Sequence, residues 1–367
     1  MQQLAQVGFM IFRSAADCIT EFFTMTRTYK AYILLLVIPL MLSLTDCDKE
    51  SQHDPVPETP ELPDTGFKTL DYLYQISGSK TIAGIHNREP NSSPAQWTNQ
   101  IFTTTGKYPG LWSGDFLFQE ENINDRQVMI DEALNQWKKG AMINLMWHAC
   151  NPALSEPCGW DDQGVLSHLS DPQWNDLLKD GTAINSKWKA MMDDVATYLQ
   201  FLEDNGVEVL WRPLHEMNQG AFWWGGRPGA NGTIKLYQMT HDYFTKTKGL
   251  TNLIWVWDIQ DFSSLATDVT NYNPGDAYWD VLALDFYDAG TGYSTTKYSI
   301  IVKAAKGKPI AIGECQKLPT PTELSTQKKW SFFMSWSELT FSHNTTDEIN
   351  TLYKGQSVGT LDKMPGW

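Results

Sequence analysis

Several signatures are missing from this chain. No GxGxxG follows its first predicted strand and no GxxxxGK[ST] occurs, so a nucleotide-binding fold has no support. Five cysteines in 367 residues, none spaced with histidine as in a zinc site, give no support to a Cys/His zinc centre. Basic residues are scarce: 28 Lys and Arg face 43 Asp and Glu, a formal net charge of −15. That balance disfavours nucleic acid or an anionic membrane surface as a partner. The apolar run ILLLVIPLMLSL at residues 33–44 is too short to span a bilayer, which takes roughly 20 apolar residues.

The same run has the look of a signal-peptide core. Arg27 and Lys30 precede it, Met25 is a candidate true start, and Cys47 follows it directly. A cysteine there resembles a bacterial lipobox, although Asp46 replaces the small residue usual before it. The expectation is an exported lipoprotein anchored through Cys47, periplasmic or at the cell surface; a plain signal peptide is the alternative. Residues 48–66 (DKESQHDPVPETPELPDTG) are rich in proline and acid and read as a tether, which leaves 67–367 as one catalytic domain. Cys150 and Cys158 share a proline-containing loop and are candidates for a local disulfide, with two unlinked thiols as the alternative.

From residue 67 onward, short apolar runs alternate with helical periodicity. Strands are predicted at 81–86, 110–116, 141–147, 207–214, 253–258, 281–287, 309–314 and 332–337. Their nearly continuous apolar character fits strands covered on both faces. Helices are predicted at 121–139, 186–205 and 231–248, with Gly206 capping the second. Eight strand–helix units in succession predict an α/β protein, a closed (β/α)₈ TIM barrel.

In such a barrel, chemistry sits where the strands end. The polar residues there are His86, Asp115, His148, His215 with Glu216, Asp258, Asp285 with Tyr287, and Glu314, with Trp336 closing the series. Glu216 and Glu314 stand out. Strands four and seven face each other across a barrel, so two long carboxylates can converge over its mouth. Paired carboxyl groups are what glycosidic hydrolysis needs: a proton for the leaving oxygen, and electron density for the sugar carbon. Glu216 lies among aromatic residues that keep it protonated, which suits an acid/base. Arg212 and Tyr287 reach toward Glu314 and suit an ionised nucleophile. The 16 tryptophans fit a site that stacks on sugar rings, although many of them belong to the core.

At WRPLHEMNQGAFWWGG (211–226) and IAIGE (310–314) the chain resembles glycoside hydrolase family 26, mainly β-mannanases, within the clan of retaining barrel glycosidases. The resemblance implies Glu216 as acid/base and Glu314 as nucleophile. It implies His215 as the active-site histidine beside the acid/base, and His148 as a sugar contact. Tyr287 is implied to bond the nucleophile and Trp336 to floor the sugar site. Trp223 or Trp224 is implied as the aromatic beside the acid/base, with Phe222 also open. Arg212 and Asp285 join them as binding candidates. No cofactor or metal is expected. The implied substrate is a β-1,4-mannan, glucomannan or galactomannan. Another β-glycan (β-1,3-xylan or mixed-linkage glucan) and a non-catalytic glycan-binding lipoprotein are the alternatives, and loss of a glutamate would have marked the latter.

Overall fold

The computed structural model describes residues 62–287 and 292–367. The apolar run 33–44, Cys47 and residues 48–61 lie outside them. Residues Thr59–Trp367 form one compact unit. Among the described residues, no helix is long and apolar enough to cross a membrane.

Eight parallel strands follow the predicted order: β1 Thr81–His86, β2 Leu111–Phe116, β3 Met142–Trp147, β4 Val209–Pro213, β5 Leu253–Gln260, β6 Val281–Phe286, β7 Ile310–Cys315 and β8 Trp330–Trp336. Each pairs with the next, and β1 pairs with both β2 and β8, which closes the barrel. A two-residue strand, β9 (Val358–Gly359), pairs with the start of β1. The fold is a (β/α)₈ barrel.

Side chains alternate along each strand, so every second residue points into the lumen. Ile82, Leu111, Met142, Leu210, Ile254, Val281, Ala311 and Phe332 form one apolar cluster, to which the helix Lys68–Ile76 adds Leu70, Tyr72, Leu73 and Ile76. The intervening residues Ile143, Trp211, Trp255, Trp257 and Ile312 belong to a second cluster shared with the surrounding helices. Burial on both faces explains the unbroken apolar runs in the sequence. Each fully buried Leu or Ile contributes about 1.5–3 kcal/mol.

The helix predicted at 186–205 runs from Ala183 to Asp204 and buries Trp188, Met191, Met192, Val195, Leu199 and Leu202. It ends in a Schellman motif. Gly206 lies at φ 71°, its N–H donates to Glu203 O at 2.8 Å, and the Val207 N–H donates to Leu202 O at 2.9 Å. Two other helices differ from prediction. The 121–139 segment breaks at Asp125 into Glu120–Asn124 and Arg126–Lys138. The 231–248 segment is α-helical over Thr233–Asp242 and then widens into a π-helical turn, Tyr243–Thr247. Cys150 and Cys158 are joined in a disulfide.

Candidate active site

β4 ends at Pro213, and the next three residues turn sharply. Leu214 lies at φ 52° and Glu216 at φ 49°, left-handed conformations that cost a non-glycine residue roughly 1–2 kcal/mol each. One bond that holds this turn comes from the end of the neighbouring strand: the Glu216 N–H donates to Asp258 Oδ1 at 2.9 Å. Asp258 belongs to β5, so the register of β4 against β5 sets where Glu216 points. Gln219 donates to Glu216 Oε2, and the same amide nitrogen lies 2.5 Å from Gln260 Oε1.

Glu314 stands on β7. Its Oε1 accepts from Arg212 Nη2, and its Oε2 accepts from Tyr287 Oη at 2.6 Å. Both oxygens are therefore held by donors that favour negative charge. Arg212 is itself fixed from behind, with Nη1 2.8 Å from Asp258 Oδ2 and 3.1 Å from Asp285 Oδ2. This arrangement depends on Gly313. A Cβ at that position would collide with the carboxylates of Asp285 and Asp258. The residue before Glu314 must therefore be glycine for the two aspartates to reach Arg212.

Three carboxyl groups surround one guanidinium and a fourth, Glu216, stands beside them, so they cannot all be ionised. Burial, then the charges of Glu314 and Asp258, push the Glu216 carboxyl well above its ordinary range. Burial and then Asp258 and Glu314 do the same to Asp285. Burial also raises Asp258, which shares a hydrogen bond with Asp285. Tyr287 is raised by burial and by Glu314 and stays a donor. Burial works against the charge on Arg212, but the neighbouring carboxylates outweigh it and hold the guanidinium protonated. One carboxyl oxygen each from Glu216, Asp285 and Glu314 lie within 4.8 Å of one another.

Above this cluster opens a cavity of about 580 Å³. Glu216, Glu314, His148, His215, Tyr287 and Trp336 all line it, as expected from the sequence. His215 is held well below the ordinary histidine value, first by burial and then by His148 and Arg212, and is a neutral ring. The two histidine rings meet edge to face at 4.4 Å. Trp336 stacks on the buried His86 at 4.3 Å.

Four expected binding residues do not reach the cavity. Trp223 and Trp224 are buried behind it, where their indole N–H groups donate to Ala149 O at 2.8 Å and His215 O at 2.9 Å. The aromatic wall beside Glu216 is Phe222, which stacks on Trp224 at 4.4 Å. Arg212 and Asp285 are also buried beneath the floor, where Arg212 is paired with both Asp285 and Glu314. The cavity adds residues that the sequence reading did not single out: Phe118, Gln119, Gln219 and Gln260, with Arg88 and Leu339 at another part of its wall. Trp160 follows the disulfide loop and is 54% exposed, more than any other aromatic in the core elements around it. Gln260 was detectable in principle, since β5 runs two residues past Asp258 and both face the lumen.

Comparison with known proteins fits this geometry. The chain matches Glycosyl hydrolase family 26 over residues 59–363. It is 30% identical to a mannan endo-1,4-beta-mannosidase of Thermothelomyces thermophilus, over 81% of this chain and 61% of that protein. It is 29% identical to the enzyme of the same name from Bacillus subtilis strain 168, over 78% of this chain and 80% of that protein. The chain thus spans about three fifths of the length of the fungal relative. Among solved structures, GH26A from Muricauda sp. MAR_2010_75 superposes with a TM-score of 0.76 at 35% identity, covering 80% of this chain and 95% of that one. A β-mannanase from a symbiotic protist of the termite Reticulitermes speratus, solved with a gluco-manno-oligosaccharide, gives 0.72 at 29% identity, covering 84% and 97%. The family match extends over the whole barrel, and on that basis the chain belongs to glycosyl hydrolase family 26.

Proposed function

We propose that this chain hydrolyses β-1,4-mannosidic bonds in mannan, glucomannan or galactomannan with retention of configuration. The observation that carries the mechanism is the closeness of Glu216 and Glu314, whose nearest carboxyl oxygens lie within 4.8 Å. Retaining glycosidases hold their two carboxyl groups about 5–5.5 Å apart, whereas inverting ones need about 6.5–9.5 Å to admit a water. The mannan preference is supported by the names of the relatives, several of which are mannan endo-1,4-beta-mannosidases.

In this reading Glu216, kept protonated by burial, gives its proton to the leaving glycosidic oxygen. Glu314 attacks the anomeric carbon as that bond breaks, and a glycosyl ester forms. Tyr287 and Arg212 hold the attacking carboxylate in line. Glu216, now ionised, takes a proton from water. The water oxygen attacks the same carbon, and Glu314 leaves as carboxylate. A reducing-sugar assay against β-mannan, glucomannan, xylan and mixed-linkage glucan tests the substrate: mannan or glucomannan should be turned over fastest. Turnover confined to xylan or mixed-linkage glucan would replace the mannan reading while leaving the mechanism intact.

We further propose that Cys47 is lipidated and anchors the domain to a membrane surface, on the strength of the apolar run at 33–44 that ends beside it. Fatty-acid labelling should mark the wild type and not Cys47→Ala; equal labelling of both would remove the anchor.

A further inference from the structure

In the wall of the cavity, beside His148, stands a fully buried carboxylate that the reaction as written does not use. Asp115 ends β2, and each of its oxygens has a defined task. Oδ1 accepts the backbone N–H of His148 at 3.2 Å. Oδ2 lies 2.6 Å from His148 Nδ1 and 3.6 Å from His86 Nε2. Burial alone would raise this carboxyl, but the histidines outweigh it and hold it far below the usual carboxylate range. An ionised carboxylate can only accept, so the His148 Nδ1 that faces it must carry a proton.

We propose that Asp115 is a positioning residue that fixes His148 as a hydrogen-bond acceptor toward bound sugar. In the singly protonated ring with its proton on Nδ1, Nε2 carries a lone pair, and it is the remaining polar atom of a ring that lines the cavity. That atom selects a sugar hydroxyl that donates, beside the neutral ring of His215. The role in substrate binding rests on the glycosidase reading; the tautomer does not.

The backbone makes the idea sharp. The His148 N–H requires an oxygen opposite it whatever residue stands at 115. In Asp115→Asn the amide oxygen must face that N–H, and the amide nitrogen is then turned toward Nδ1. It donates, the ring proton moves to Nε2, and the acceptor becomes a donor. A nearly isosteric change thus inverts the polarity of one cavity atom.

Nitrogen-15 NMR of histidine-labelled protein reads this directly. The wild type should show His148 protonated at Nδ1 and bare at Nε2, and Asp115→Asn should show the reverse. kcat/KM on mannan oligosaccharides should fall about 10–100-fold, the size of one mismatched buried hydrogen bond. Among substrates each lacking one hydroxyl, one should lose activity with the wild type but little further with the variant, which identifies the donor. A purely structural role would lower the melting temperature and leave the tautomer alone. A proton on Nε2 in the wild type overturns the proposal even if the variant fails to fold, and so does a folded variant with unchanged tautomer. If no glycan is cleaved at all, the glycosidase reading fails while the NMR result stands by itself.

Discussion

At the level of Leu210, Val256 and Ala311 the barrel lumen is apolar and closed. One inward step further along the same strands it holds Arg212 and Asp258, with Gly313 giving room for the aspartates and Glu314 beyond. The backbone is the same parallel ladder at both levels, so the difference lies in the side chains. The lower layer gains its stability from removing hydrocarbon from water, a non-directional effect that tolerates changes of shape. The upper layer buries three carboxyl groups around one guanidinium with a fourth close by, which destabilises unless protons and hydrogen bonds are correctly shared. It persists because the lower layer and the helices around it hold the strand ends in place. Stability and chemistry are thus separated along the strand axis, by one inward-facing position.

Substitutions in the two layers should therefore fail in different ways. Glu314→Ala is expected to be the most severe for catalysis, lowering kcat by more than about 10⁴-fold, as loss of a covalent nucleophile does. No glycosyl ester should appear by mass spectrometry with any leaving group. Glu216→Ala should cost about 10²–10⁴-fold on polysaccharide, the usual contribution of a positioned acid. On an aryl mannoside with a good leaving group, however, it should still form the ester and then stall. Complete inactivity on that substrate would withdraw Glu216 as the acid/base.

Gly313→Ala tests whether the upper layer tolerates a single added carbon. The new methyl meets Asp258 and Asp285, displaces the support of Arg212, and should lower kcat about 10²-fold, the effect of misplacing a reacting group by about 1 Å. Leu210→Ala is the matching change one layer down. It should destabilise by about 2–5 kcal/mol in urea unfolding while the folded fraction keeps its kcat within a few-fold. If Leu210→Ala abolished activity without lowering stability, the separation of layers would be wrong.

The smallest effect concerns pH. The Glu216 carboxyl is raised in the folded protein, so its uncharged form contributes stability that is fully present below the ordinary glutamate value. That contribution is lost as pH rises toward the raised folded value. Gln cannot ionise and escapes the loss. Melting temperatures of Glu216→Gln and wild type should therefore diverge in favour of the variant from the ordinary glutamate value upward, and stay separated above the folded one. Parallel curves across that window would show that Glu216 is not raised.

Much of the lower layer was legible in the sequence because burial on both faces leaves an unbroken apolar run, and all eight barrel strands announced themselves that way. The two glutamates were legible because polar residues that end such runs must face the barrel mouth. The loop after Glu216 was not. Residues 217–232 follow no strand or helix period, so nothing in Ala221-Phe222-Trp223-Trp224 tells which ring faces the cavity. Packing decides it: Trp223 and Trp224 spend their indole N–H groups on buried carbonyls, and Phe222, which has no polar atom to satisfy, is left at the wall. The tether from Asp258 to the Glu216 N–H was equally hidden, since it joins residues 42 positions apart through a backbone atom. The 121–139 helix looked continuous because its break at Asp125 changes backbone angles without interrupting the pattern of buried residues.

The spacing of the two glutamates is the centre of this account, and proton NMR of the first products tests it most directly. With the carboxyl oxygens within 4.8 Å, no water fits between Glu314 and the anomeric carbon, and the nascent reducing end must form as the β-anomer before it mutarotates. Initial accumulation of the β-anomer is the predicted result. An α-anomer in the earliest spectra would mean inversion by direct attack of water, and would contradict a covalent role for Glu314.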